Sequence, residues 1–430
     1  MYMAKRFLLW CNLSSGEKTM AVKKILFITY DGLTDQLGQS QILPYVKGLS
    51  KLGFKFTILS CEKPERLLEL GDLIQDLCNE DGIRWAYVPF TNNIPIISKM
   101  NDSWQLKNKA IKLHKKLIFD MAHCRSYVSA EIGVYMKQKF GLKFLFDMRG
   151  LWADEKIDGG SWDQNNPIYR QVYKIYKKKE KAFFLNSDYT ISLTHSAKTE
   201  ISTWQYIKDK SVNIKVIPCC VDTGLFSFNS ENFQKRRREL SNSMGLKSDQ
   251  FILGYLGSIG TWYMLNEMLD FFKCLLDKEP DAKFLIVTGD FHTHIIDKAK
   301  EKNISLKALI IRKAQRKEIP IYISLMSVSL FFIRPTYSKM SSSPTKLAEI
   351  MALGVPIVTN KGVGDVEEII LRDKAGIVIE NFDNKTYHEA VKEITSIKFD
   401  KDAIIKAAIR NFDISVAIER YREVYDSILN

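Results

Sequence analysis

Residues 341–358 read SSSPTKLAEIMALGVPIV and contain the signals for one complete helix. Ser343 is a good N-cap residue, Pro344 suits the first helical turn, and Gly354 suits the stop. The free N–H groups and the dipole of such a helix start attract phosphate, and Lys346 adds a positive charge in the first turn. We therefore predict a phosphate-binding helix here, with an ordinary capped helix as the alternative.

Short apolar strands alternate with helices on the N-terminal side of this motif. A strand is predicted over 25–29, followed by a glycine-containing loop, a helix over about 40–52 and a second strand over 55–60. Further strands are predicted at 84–88, 121–124, 143–146, 189–193 and 215–217. The pattern restarts with a strand at 251–256, a turn at 257–260, a helix to about 276 and a strand at 284–287. This alternation is typical of parallel sheets covered by helices on both faces.

The length of 430 residues exceeds what one hydrophobic core usually organises, so two domains are expected. We place an N-terminal extension at 1–20, a Rossmann-like acceptor domain at 21–225 and a Rossmann-like donor domain at 226–410. A final helix at 411–430 is expected to cross back to the first domain. Two such domains face each other across a cleft at the C-terminal ends of their strands, where open α/β folds bind ligands.

Composition excludes several classes of protein. The hydrophobic fraction of 46% and the charged fraction of 26% are ordinary for a globular chain, and the mean hydropathy of −0.15 argues against an integral membrane protein. The net charge of +13 favours an anionic partner. Seven cysteines without C-x-x-C spacing indicate reduced thiols in a cytoplasmic enzyme and no metal site. Translation starting at Met20 is favoured over a weak surface anchor in the extension.

Three landmarks, read in order, resemble one family of enzymes. Glu349 followed by 350–356, IMALGVP, resembles the second half of a motif with two glutamates eight positions apart. The segments 217–222, IPCCVD, and 187–188, SD, resemble further landmarks of that family. The chain thus resembles the retaining glycosyltransferases of the GT-B fold, the large bacterial family 4 type. Ser341 departs from the pattern, because it stands where that family has its first glutamate.

The resemblance implies a nucleoside diphosphate sugar as donor, with no metal and no other cofactor, and Glu349 as the residue that binds the donor ribose. The loop at 257–260 would face the diphosphate, but the arginine and lysine that usually follow it are absent. Lys346, helped by Arg334 or Lys339, is our hypothesis for the positive clamp. Donor-binding residues are therefore predicted to be Gly38, Gly257, Ser258, Gly260, Arg334, Lys339, Ser342, Ser343, Pro344, Thr345, Lys346 and Glu349.

Catalytic residues are expected after two apolar strands of the first domain. Asp147, Arg149 and Glu155 lie in 146–155, FDMRGLWADE, and such charges are costly to bury without a purpose. Asp147 stands by position where many relatives have a histidine that contacts the donor sugar, and Arg149 would orient it or grip an acceptor phosphate. A structural salt-bridge cluster is the alternative. His123 closes a neighbouring strand and is either a donor to substrate or a structural histidine.

The predicted function is transfer of a hexose to a glycan or lipid-linked glycan in cell-surface polysaccharide synthesis. The basic helix around 169–181 carries an aromatic stripe, which indicates either contact with an anionic membrane or a core-packed helix with a solvated face. The expected location is the cytoplasm, including the inner face of the cell membrane. Two alternatives stay open: a sugar-nucleotide epimerase of the same fold, and a basic nucleic-acid-binding protein, although no nucleic-acid-binding module is recognisable.

Overall fold

The computed structural model describes residues 22–91, 95–226 and 230–430, so the predicted extension at 1–20 lies outside the described residues. Two parallel sheets confirm the predicted pair of doubly wound α/β units. The strands of the first sheet are β1 Lys24–Thr29, β2 Lys55–Glu62, β3 Arg84–Pro89, β4 Met121–Arg125, β5 Lys143–Asp147, β6 Tyr189–Ser192 and β7 Ile214–Val216. Those of the second are β8 Ile252–Leu256, β9 Lys283–Val287, β10 Leu309–Arg312, β11 Val328–Leu330, β12 Ile357–Asn360 and β13 Gly376–Ile379.

Helices cover both faces of each sheet, which explains why β1, β4 and β8 are buried along almost their whole length. The helices from the first half of the chain are α1 Gln36–Gln41, α2 Leu43–Ser50, α3 Pro64–Glu80, α4 Pro95–Leu117, α5 Ser126–Phe140, α6 Trp152–Asp158, α7 Pro167–Asn186 and α8 His195–Thr203. They continue with α9 Glu231–Ser243, α10 Leu265–Lys278, α11 His292–Glu301, α12 Ile319–Ser324, α13 Thr345–Ala352, α14 Val366–Arg372, α15 Asn384–Ser396, α16 Lys401–Phe412 and α17 Ile414–Leu429.

The strand order reverses once in each sheet. The first sheet has the order β3-β2-β1-β4-β5-β6-β7 and the second has the order β10-β9-β8-β11-β12-β13. The reversals lie between β1 and β4 and between β8 and β11, and ligands of doubly wound folds bind outside the carboxyl ends of the strands at such points. The loops that follow β1, β4 and β8 are therefore the expected ligand-binding loops.

One predicted helix differs from the observed structure. Instead of a continuous helix over 40–52, the chain forms α1 and α2, which are separated by a break at Ile42. Pro44 occupies the first turn of α2, where its lack of an N–H group is tolerated, whereas the same residue inside a continuous helix would remove a hydrogen bond. Helix α9, which lies between the two sheets in the chain, has no buried residue.

The last helix packs on the first domain, as predicted. Helix α16 stays with the second domain, the chain passes a bridge between Val221 and Asp413, and α17 then lies along α2. Tyr421, Val424 and Tyr425 of α17 are buried in the same core as β1 and α2. Within the described residues, every helix is too short or too polar to cross a lipid bilayer. The domain boundaries at 225 and 410 stay predictions.

Candidate functional site

A cleft of about 490 Å³ separates the carboxyl ends of the two sheets. Its wall in the first domain comes from the loop after β1, the ends of β4 and β5, and helix α6. Its wall in the second domain comes from the segment that leads into α13 and from Trp262 and Tyr263, which follow β8. Seven of the predicted site residues line it: Arg149, Glu155, Lys339, Ser342, Ser343, Pro344 and Thr345.

Asp147 does not line the cleft, contrary to the prediction that it contacts the donor sugar. Its carboxylate is buried beneath the floor, where it accepts a hydrogen bond from the Tyr421 hydroxyl at 3.2 Å. Arg149 lies 3.7 Å from the same carboxylate and itself reaches the cleft. Asp147 is therefore placed to position Arg149, because its side chain ends one layer behind the surface.

His123 is also buried beneath the floor. One ring nitrogen, Nδ1, lies 2.6 Å from the Tyr425 hydroxyl, and Nε2 lies 3.5 Å from the Asp147 carboxylate. Burial lowers the pKa of His123, and Asp147 opposes this shift only in part. The structural alternative stated for His123 therefore fits its position, and contact with a substrate does not.

The charge of Asp147 is stabilised by its neighbours. Burial on its own would raise the pKa of Asp147, but Arg149 and His123 outweigh that effect and lower it to about 2. The carboxylate is consequently ionised at neutral pH. Arg149 has φ of +59°, an uncommon conformation for a residue with a side chain, and it lines the cleft.

The N-cap predicted at Ser343 lies one residue later. Helix α13 begins at Thr345, and the N-cap residue is Pro344, which offers no side-chain acceptor. The Ser343 hydroxyl instead accepts a hydrogen bond from the N–H of Cys219 at 3.1 Å, in the first domain. The first-turn N–H groups of α13 are therefore left without a side-chain cap, at a point where Thr345 lines the cleft.

Lys346 lies one layer behind this helix start. Its ammonium group sits 3.6 Å from the ring centre of Tyr263 and 4.3 Å from that of Tyr255, and it donates to the Tyr255 hydroxyl at 3.2 Å. Burial lowers the pKa of Lys346 well below its usual value, and Glu349 opposes this only weakly. Among the described residues no carboxylate pairs with it. A buried amine of this kind gains its charge when an anion approaches.

The predicted loop at 257–260 covers Lys346. Gly257 has φ of +121°, and a Cβ atom on it would lie 2.9 Å from the Lys346 Nζ, so a larger residue would collide with the lysine. Ser258 and Gly260 are exposed on the same loop. The Asp290 carboxylate accepts a hydrogen bond from the N–H of Ile259 and so holds the loop in place.

Glu349 is buried and paired with a residue that was not predicted from the sequence. Arg316 donates a hydrogen bond to its carboxylate. Burial raises the pKa of Glu349, and the guanidinium of Arg316 opposes the shift. The Arg316 side chain, half of which is exposed, lies between the buried Glu349 and the solvent.

The two other predicted cations of the clamp are placed differently from the hypothesis. Lys339 donates to Glu155 of the first domain at 2.7 Å and lies 3.6 Å above the Trp262 ring, so its charge is already balanced. The Arg334 side chain is exposed and is absent from the lining described above. Lys346 alone of the three is buried without an acidic partner.

Gly38 has a packing role. A Cβ atom on it would lie 2.2 Å from the Gly32 carbonyl oxygen, so its close approach is to the preceding loop and not to a ligand. The buried Glu62 holds that loop by accepting hydrogen bonds from the N–H groups of Leu33 and Thr34 at 2.7 and 3.1 Å.

Several hydrogen bonds join the domains beside the cleft. The Ser341 hydroxyl accepts from the N–H of Leu151 at 2.9 Å and donates to the Ser338 carbonyl. The Asp365 carboxylate accepts from the N–H groups of His195 and Ser196, at the start of α8, at 2.6 and 2.9 Å. Ser341 therefore serves the domain contact at the position where the resembling family has a glutamate.

The aromatic stripe of α7 faces the protein and not a free surface. The Tyr173 hydroxyl donates to Asp154 at 2.8 Å, and the Tyr176 ring packs 4.9 Å from Trp152. The core-packed alternative is thus the observed one. In the described parts of the chain, no group of three or more His, Cys, Asp or Glu side chains is placed to hold a metal ion.

Two doubly wound parallel domains that meet at such a cleft place the protein in the GT-B fold class. More particularly, residues 236–411 match the family described as Glycosyl transferases group 1. This part of the chain is therefore similar to group 1 glycosyltransferases, and the predicted resemblance is confirmed at that level.

One curated relative and many solved structures are similar to the chain. The capsular polysaccharide biosynthesis glycosyltransferase CapM of Staphylococcus aureus is 21% identical over 267 residues, which cover 60% of this chain and 66% of the relative. Sucrose-phosphate synthase from Thermosynechococcus elongatus aligns with a TM-score of 0.70 at 14% identity, over 94% of this chain and 98% of that chain. HepE of Anabaena, solved with UDP-glucose, aligns with a TM-score of 0.67 at 12% identity, over 94% and 99% of the two chains.

Proposed function

We propose that this protein is a retaining hexosyltransferase that moves a sugar from a nucleoside diphosphate sugar to a glycan or lipid-linked glycan, without a metal, in cell-surface polysaccharide synthesis. The similarity to group 1 glycosyltransferases supports sugar transfer. The relative named for capsular polysaccharide biosynthesis supports the process, and the structure solved with UDP-glucose supports the donor class.

The uncapped start of α13 at the cleft is the observation that carries the proposal. Its first-turn N–H groups are available to a diphosphate, and the buried Lys346 lies behind them without a carboxylate partner. A helix start with such a lysine matches the developing negative charge of a departing nucleoside diphosphate. Glu349 with Arg316 is assigned to the donor ribose.

Arg149 is assigned to the acceptor, since it reaches the cleft floor from the first domain. Asp147 and His123 act through it, as positioning residues, because both are buried behind it. In this scheme the enzyme brings donor and acceptor together in a fixed geometry and stabilises the leaving group, which lowers the barrier without a covalent protein nucleophile.

The first experiment is a thermal-shift panel of UDP, GDP, ADP and CMP sugars, since a ligand that binds only the folded state raises the melting temperature. The sugar nucleotide that stabilises the protein is then incubated with and without a glycan acceptor. Transfer predicts release of the diphosphate that depends on the acceptor. Conversion of the donor to an isomer without acceptor would favour the epimerase, and stabilisation by none of the donors would contradict the proposal.

Contact with an anionic membrane at the cytoplasmic face is the second part of the proposal. The aromatic stripe of α7 is occupied, so we assign the contact to the opposite face, where Ile168 and Ile175 are exposed beside Lys174 and Lys178. Flotation with liposomes that contain or lack anionic lipid tests it. Replacement of Ile175 by Glu is expected to abolish flotation, and equal flotation of both proteins would contradict the assignment.

A further inference from the structure

The cleft wall of the first domain carries three cations: Lys99, Arg125 and Arg149. Neither Lys99 nor Arg125 has a role in the sugar transfer described above. Arg125 ends β4 opposite Asp147 of the neighbouring strand β5, two residues before Arg149, and the charge of Arg149 acts on Arg125. The inference below rests on the proposed function, because it concerns the acceptor.

Arg125 is buried with few partners. Its nearest carboxylate is that of Asp31, 3.9 Å away and more than one third exposed. Its Nε atom is buried and has no hydrogen-bond partner among the described residues. Buried guanidinium groups normally use their N–H donors, and an unmatched one is costly. The side chain nonetheless borders the cleft, where a ligand can reach it.

Arg149 and Lys99 are also incompletely matched. The guanidinium of Arg149 lies 3.7 Å from Asp147 and 3.5 Å from the Gln41 oxygen, both long contacts, and it donates to the Cys219 sulfur at 3.2 Å. Lys99 is held over two aromatic rings, 4.0 Å from Trp152 and 5.3 Å from Tyr30.

The cations of this wall are crowded. The carboxylates of Asp31, Asp102 and Asp147 favour their charged forms, but the proximity of Arg149 disfavours the charge of Arg125. Guanidinium groups that approach from adjacent strands match the several oxygens of a phosphate. An aromatic floor beside them suits a sugar ring.

We propose that Lys99, Arg125 and Arg149 form a subsite for a phosphate group carried by the acceptor, with Trp152 next to its sugar. The acceptor is the appropriate occupant because all three side chains belong to the first domain, across the cleft from the start of α13. The phosphate is that of a soluble sugar phosphate or of a lipid diphosphate sugar, and the experiment separates these sources.

Binding is measured by calorimetry for glucose 6-phosphate, for a polyprenyl diphosphate sugar in detergent and for glucose, each with and without saturating UDP. At least one phosphorylated ligand is expected to bind, and glucose is not. Arg125→Gln and Lys99→Gln each weaken that binding by about tenfold or more, the size of one charge-assisted hydrogen bond. Lys109→Gln serves as the matched control, since Lys109 is exposed on the same helix α4 as Lys99, does not line the cleft and is expected to change nothing.

Three results would overturn the subsite: no preference for the phosphorylated ligands, unchanged binding in both variants, or an equal loss of UDP affinity, which would assign the cations to the donor. Lys99 is only partly buried, so Lys99→Gln remains informative if Arg125→Gln fails to fold. Failure of the proposed transfer reaction is recognised separately, because the titrations without UDP require no donor.

Discussion

The Tyr421 hydroxyl donates a hydrogen bond to the Asp147 carboxylate although 274 residues separate the two in the chain. Tyr421 belongs to α17 and Asp147 ends β5, next to the arginine that reaches the cleft floor. The last helix thus contributes directly to the groups that position Arg149.

Asp147→Asn is expected to destabilise the protein by about 3–5 kcal/mol, because it leaves buried cations without their carboxylate. Tyr421→Phe removes one hydrogen bond and is expected to cost about 0.5–1.5 kcal/mol. Urea unfolding at pH 7, followed by circular dichroism, measures both. Since the folded pKa of Asp147 is about 2, the stabilisation is present above the unfolded pKa of about 3.9 and is lost as pH falls between these values. A smaller loss for Asp147→Asn than for Tyr421→Phe would contradict this account.

Stability is expected to decline as pH falls below about 6.5, the pKa of an unfolded histidine. His123 has a lowered pKa in the folded state because it is buried, so unfolding takes up a proton below that pH. The free energies of unfolding of wild type and His123→Gln are compared at pH 7.5 and 5.5. The free energy of unfolding of His123→Gln should fall less between pH 7.5 and 5.5 than that of wild type. The free energy of unfolding of His195→Gln, a variant at an exposed position, should fall as much as that of wild type. Identical pH profiles for all three proteins would exclude His123 as the source.

Binding of the nucleoside diphosphate is expected to take up a proton at Lys346. Burial lowers the pKa of this amine, and a bound anion favours its charged form. Calorimetric titrations in buffers of different ionisation enthalpy count the protons exchanged, and affinity should fall as pH rises. Lys346→Met should abolish the uptake, while Lys392→Met on the exposed side of α15 should not. Undiminished uptake in Lys346→Met would place the proton elsewhere.

Asp365→Ala is expected to loosen the contact between the domains, because this carboxylate caps α8 across the interface. The loss of a helix cap costs about 0.5–2 kcal/mol. Small-angle X-ray scattering should show a larger radius of gyration for this variant. Asp383→Ala is the matched control, since Asp383 caps α15 within its own domain. The same scattering change in both variants would indicate general destabilisation.

The architecture was predictable because its signals are local. Apolar runs such as 25–29 and 284–287 are long enough for strands buried on both faces, and they lie within a residue of β1 and β9. The short strands β10, β11, β12 and β13 escaped prediction, since stretches of three or four residues are also compatible with a helix or a loop.

The sequence predicted the site correctly only where residues that are adjacent in the chain form it together. The segment from Ser342 to Thr345 lines the cleft as expected. The cap at Ser343 was wrong, because its hydroxyl is used by Cys219, a residue 124 positions away. Pairing of Glu349 with Arg316 and of Lys339 with Glu155 likewise depends on tertiary contacts that periodicity does not encode.

Arg125 carried a usable signal, since it ends an apolar strand beside His123. Their position at the end of the strand did not show which of the two side chains borders the cleft. Only the structure shows that the arginine borders the cleft and that the histidine is covered by Tyr425. The assignments of all these residues to donor or acceptor stay predictions.

The position of α17 also has a consequence for the order in which the protein assembles on the ribosome. His123 is synthesised 302 residues before Tyr425, a delay of about 15–60 s at ~5–20 residues per second. During this interval the second domain is completed, while the apolar face of the first domain that α17 covers has no partner. The first domain to be translated is consequently the last to be finished, and the nascent chain offers that face to chaperones until the final helix docks.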